Sequence, residues 1–95
     1  MCPTHEDEDD IDLAALCKAL GHPVRVAIVR YLAEQGTCVF GDLSEQMPLA
    51  PSTVSQHVTV LKEAGILSAS ADQQRMCYCL NRDRMRLLKR LIKGL

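Results

Sequence analysis

Residues 49–67, LAPSTVSQHVTVLKEAGIL, constrain the fold more than any other stretch of the chain. Wound at about 100° per residue, they place Val54, Val58 and Leu61 on one side and Ser52, Gln56, Thr59 and Glu63 on the other. A helix that merely meets water tends to carry long Lys/Glu pairs four residues apart. Here the outward side is short, polar and nearly uncharged, which suits close approach to base edges and phosphates. Pro51 marks the start, because its preset φ and missing N–H fit the first helical turn. Gly65 marks the end, where a left-handed residue costs least. Ala50 stands where a capping Ser is usual, a change that costs about 1 kcal/mol of helix-end stability.

Upstream, Phe40, Leu43 and Met47 predict a short helical stripe that Pro48 terminates. Two helices joined by the tight connection Pro48-Leu49-Ala50 make a helix-turn-helix. Downstream, ILSASA and RMCYCL flank the polar turn DQQ, the pattern of a β-hairpin. The expected architecture is therefore mainly α with a small β-hairpin, a winged helix-turn-helix of about five helices and a two-stranded wing. A first helix is expected near 11–20, with Leu13, Leu16, Cys17 and Leu20 on its apolar stripe. His22-Pro23 opens the next helix, which buries Val24, Ala27, Ile28, Tyr31 and Leu32. The last, about 82–94, carries Met85, Leu88, Leu91, Ile92 and Leu95 on one side. Arg84, Arg86, Lys89, Arg90 and Lys93 fall mostly on the other.

Net charge is −1 over 95 residues, but its distribution matters more than its sum. Residues 1–12 hold six acids and no Lys or Arg, leaving 11 basic against six acidic residues in the rest, a net of +5. The folded body, assigned to 12–95, is basic, and residues 1–11 read as an acidic flexible arm with too little apolar material to order itself. No run reaches membrane-spanning length, and the start lacks the basic-then-apolar pattern of a signal peptide, so a cytoplasmic location is expected. Five Cys, an odd number, then read as free thiols, ligands or redox groups rather than a disulfide scaffold. No phosphate-binding glycine loop, HExxH or catalytic triad pattern is present, so an enzyme is not expected.

Four segments together, LGHPVRVAIVRYL at 20–32, CVFGDL at 38–43, STVSQHVTVLKEAGIL at 52–67 and RMCYCLN at 75–81, resemble the ArsR/SmtB family of bacterial metal- and thiol-responsive repressors. The resemblance covers roughly residues 12–95. It implies a homodimer formed through the first and last helices, with Leu13, Leu16, Cys17, Leu20, Met85, Leu88, Leu91 and Ile92 at the interface. It also implies a duplex DNA operator containing an inverted repeat, and no cofactor needed to bind it.

For DNA the chosen contacts are Ser52, Thr53, Ser55, Gln56, His57, Thr59 and Lys62, with Gln74 and Arg75 in the wing. Gln56 is the expected base reader, because an amide pairs bidentately with an adenine edge. His57 lies at the margin of the buried side, where a packed structural histidine competes with a DNA ligand.

The family's inducer patterns are only half kept. Members that bind arsenite or cadmium often carry two Cys one residue apart before the turn, but here the sequence is Cys38-Val39-Phe40. A zinc site of Asp and His on the last helix is absent, since that helix has no His and only Asp83. What remains is Cys77-Tyr78-Cys79, where strand alternation puts both thiols on one face and Met76, Tyr78 and Leu80 on the other. As(III) or a soft metal ion bridging Cys77 and Cys79 needs a third ligand from Cys38, Cys17 or Cys2, with His5 as a further arm residue. Release from the operator by arsenite, a soft ion or an oxidant is the reading that follows. Two others remain open: a winged helix that binds another protein, and a regulator whose cysteines are purely structural.

Overall fold

A computed structural model describes residues 7–36, 38–41, 43–72 and 75–95. The elements are α1 (Glu8–Ala19), α2 (Pro23–Gln35), β1 (Cys38–Phe40), a 3-10 turn (Leu43–Gln46), α3 (Pro51–Glu63), β2 (Leu67–Asp72), β3 (Arg75–Leu80) and α4 (Arg82–Lys93). Four helices and a hairpin wing give the expected winged helix-turn-helix, with the helix before the turn shortened to 3-10 geometry. No helix among the described residues is long and apolar enough to cross a membrane.

Helix α1 begins at Glu8, three residues earlier than its apolar period indicates. Asp7 caps it by accepting from Asp9 N at 2.9 Å, and Glu8, Asp9 and Asp10 fill its first turn. Carboxylates there meet the positive end of the helix dipole. The second half of the acidic run is thus helical rather than part of a flexible arm. Leu16 is fully buried, but Cys17, expected on the same apolar stripe, is exposed.

The core gathers Leu16, Ile28, Leu32, Leu43, Leu61 and Ile66, each essentially sealed from solvent, around Tyr78 and Leu88. Leu16 and Leu88, expected at a dimer interface, therefore face the core of their own chain. Of the remaining residues assigned there, Leu13, Leu20 and Met85 pack against this core while partly exposed. Leu91 is half-buried, and Ile92 is 49 % exposed.

The sheet has three strands in the order β1-β3-β2, all antiparallel. The wing hairpin is as expected, but β1 is an addition: Phe40 lies on a strand rather than a helical stripe and is 52 % exposed. Three residues show no period by which a strand is recognised.

The end of α3 is fixed with unusual completeness. Ile66 N donates to Leu61 O and Gly65 N to Lys62 O, both at 3.0 Å, the paired bonds of a Schellman cap. Gly65 has φ +78°, and a Cβ there would stand 3.3 Å from Arg84 Nε. Arg84 Nη2 in turn donates to Ala64 O at 3.2 Å. Charge groups Arg84 with the solvent side of α4; it faces inward instead, because a residue four before Leu88 and seven before Leu91 shares their side of the helix.

Candidate nucleic-acid interface and thiol cluster

Val54, Val58 and Leu61, all buried, fix the rotation of α3 about its axis. Ser52, Ser55, Gln56, Thr59 and Lys62 consequently stand exposed on its outer side, while Thr53 is half-buried. Thr59 Oγ1 donates to Ser55 O at 2.9 Å, directing that hydroxyl's proton back along the helix. Ala50 N-caps without a side-chain bond, as its methyl dictates. In the wing, exposed Arg75 holds its guanidinium 5.4 Å from the Phe40 ring centroid, a cation–π contact that ties β3 to β1. Gln74 lies outside the described residues.

His57 departs from the outward set. Its ring lies 4.4 Å from that of His22, tilted by 43°, and its Nδ1 is 3.3 Å from Arg25 Nη1. His22 caps α2 through Nδ1, which accepts from Val24 N at 3.1 Å. Arg25 donates to Ala19 O and to Lys18 O at the end of α1. His57 is thus a joint among three helices. The HPxR spacing at 22–25 carried this signal, since it puts a ring and a guanidinium at one helix start.

Burial lowers the His57 pKa below the ordinary 6.5, and the neighbouring His22 and Arg25 add to the effect. The folded chain then resists a proton that the unfolded chain accepts, so stability must rise with pH through this range. Urea midpoints are expected to fall as pH drops through 6.5, and His57→Gln to flatten that slope. An unchanged slope in the variant would remove His57 as its source.

The thiols are arranged by strand register. Cys38 sits directly opposite Cys79, at a Cα separation of 4.3 Å that matches the closer, non-hydrogen-bonded type of antiparallel pair. Their sulfurs are bonded at 2.02 Å. Cys77, one pleat repeat away on the same face, remains free with its Sγ 3.6 Å from that of Cys79. All three sulfurs lie within 4.8 Å of one another.

Sequence alternation correctly put Cys77 and Cys79 on one face. It did not indicate that Cys38 would be covalently paired, so the expectation of thiols without a disulfide is corrected here. Cys17 is on α1 and outside this group, while Cys2 and His5 lie outside the described residues.

The profile of the bacterial regulatory protein arsR family matches residues 22–69, from the cap of α2 into β2. The chain belongs to this family. An arsR-family chain is a DNA-binding regulator and not an enzyme. This regulator is 34 % identical over 84 residues to the biofilm growth-associated repressor of Agrobacterium fabrum, covering 88 % of this chain and 68 % of that one. It is 30 % identical over 82 residues to an uncharacterised HTH-type transcriptional regulator of Methanocaldococcus jannaschii, covering 86 % and 92 %. The cadmium metal-sensor CMTR of Mycobacterium tuberculosis, solved by NMR, superposes with a TM-score of 0.61 at 32 % identity, covering 84 % of this chain and 82 % of that one.

Proposed function

We propose that this arsR-family regulator is a homodimeric repressor that reads an inverted repeat with α3 and leaves it when its clustered sulfurs meet a thiophilic ion or an oxidant. The observation that carries the reading is the outer side of α3, where Ser52, Ser55, Gln56 and Thr59 present short polar groups above a fully buried anchor. Two such helices related by a two-fold axis enter successive major grooves, which makes the operator an inverted repeat. Gln56 reads a base edge, Lys62 and Arg75 hold phosphates, and Ser52, Thr53 and Ser55 fix the register. His57 acts from behind, as a support for α3.

Support for the inducer comes from chemistry: three sulfurs from two strands suit a soft ion better than a hard one. The likeness to a cadmium sensor points the same way. The cluster adjoins Arg75, because Phe40, which that arginine covers, is the register partner of Cys77. A ligand that prefers one β1–β3 arrangement then shifts the wing, and DNA weakens that ligand to the same degree.

Gln56→Ala is expected to weaken operator binding by roughly 1–3 kcal/mol while leaving binding to random duplex nearly unchanged in a fluorescence anisotropy titration. Equal losses on both duplexes would show that Gln56 reads no base.

A further inference from the structure

Two of the three clustered sulfurs, those of Cys38 and Cys79, hold incompatible chemical roles, as disulfide partners and as prospective ligands beside free Cys77. We infer that a thiophilic cation and the Cys38–Cys79 bond are alternative occupants of one site, so that this regulator takes up the ion only when reduced and expels it on oxidation. The inference rests on the proposed inducer site and adds its control.

Charge makes the exclusion, and distance shows that the reduced trio fits an ion. A thiolate binds an ion such as Zn²⁺ at about 2.3 Å, so two sulfurs sharing one tetrahedral ion stand about 3.8 Å apart. Cys77 and Cys79 are already 3.6 Å apart, and the whole trio spans no more than 4.8 Å. That pair needs almost no rearrangement. Cys38 and Cys79 are bonded to each other, and as disulfide sulfurs they have given up the thiolate charge a cation requires. Of the trio, the oxidised chain keeps only the Cys77 sulfur to serve as a thiolate. Breaking the bond restores three converging sulfurs, whose mutual repulsion as thiolates is relieved either by a cation or by pairing two of them again.

The electron balance is simple. A low-molecular-weight disulfide accepts two electrons from the Cys38 and Cys79 thiolates, leaves as two thiolates, and the protein S–S bond forms while the ion departs. Reduction by a dithiol reverses the exchange.

The test uses the full chain carrying Cys2→Ser and Cys17→Ser, so that the cluster holds all the remaining sulfur ligands apart from methionine. Circular dichroism establishes that both redox forms are folded. Equilibrium dialysis against Cd²⁺ is expected to find one ion per chain when reduced and an affinity lower by at least about 100-fold when oxidised. Losing merely the outer partner of a ligand costs about 10–100-fold, and here two ligands are lost. Cys77→Ser is expected to weaken Cd²⁺ binding by the reduced chain and to leave the disulfide able to form.

In wild type, Cd²⁺ added beforehand is expected to slow disulfide formation by a small-molecule disulfide. Equal Cd²⁺ affinity in the two redox forms, or oxidation at the same rate with and without Cd²⁺, would overturn the inference. Operator release is scored separately by anisotropy. A reduced chain that binds Cd²⁺ and stays on DNA would refute the proposed inducer response while leaving the shared site standing.

Discussion

Leu88→Glu is expected to unfold the chain, whereas Ile92→Glu keeps its fold and loses only self-association. Both residues lie on the apolar stripe of α4, one turn apart. Leu88 is 4 % exposed and sits in the core, while Ile92 is 49 % exposed. A carboxylate at Leu88 forfeits about 1.5–3 kcal/mol of apolar burial and adds several kcal/mol for an unpaired buried charge. A domain of this length has about 5–14 kcal/mol in all. At Ile92 the charge meets water in the lone protomer and is buried only if two copies pair through α4. Far-UV circular dichroism reads the first outcome and sedimentation velocity the second. If wild type sediments as the proposed dimer and Ile92→Glu does too, the seam lies elsewhere, and a well-folded Leu88→Glu would contradict the position of Leu88 in the core.

Reducing the Cys38–Cys79 bond is expected to lower stability by about 4 kcal/mol. The two residues are 41 apart in sequence, and on the chain-entropy account a loop of that size restricts the unfolded ensemble by about this much. Strand β1 makes the effect visible, since three residues on a sheet edge contribute few bonds of their own. Urea unfolding with and without a reductant measures the difference, and Cys38→Ser is expected to match the reduced wild type. A shift below about 1 kcal/mol would mean that the unfolded chain keeps β1 near β3 without the covalent link. Because reduction also prepares the proposed cation site, the ion is expected to restore part of what the bond supplied.

What was legible in the sequence was what depends on neighbours along the chain. Pro51, Gly65 and the spacing of Val54, Val58 and Leu61 state a helix and its bounds locally, and α3 runs Pro51–Glu63 as a result. Alternation along β3 likewise fixed the shared face of Cys77 and Cys79. Residues 7–10 were misread because a solvated acidic tail and the first turn of a capped helix have the same composition. The pairing of Cys38 with Cys79 depends on register between strands separated by two helical segments, and no local pattern encodes a register. The turn of Arg84 toward Ala64 O is different in kind: four residues before Leu88 and seven before Leu91, Arg84 lies by period on the apolar side of α4, and its charge alone grouped it with the solvent side.

The Arg84 clasp at Gly65 has a mechanical consequence. With the guanidinium bonded to the carbonyl of Ala64, the cap of α3, and the Arg84 side chain lying 3.3 Å from where a Gly65 Cβ would stand, the end of α3 is tied to the start of α4. A tilt of α4 would pull on the cap of α3 through that bond. In the proposed dimer joined through α4, the pitch between the two groove-facing helices would follow the angle at which two copies of α4 cross, and with it the spacing of half-sites that the pair accepts.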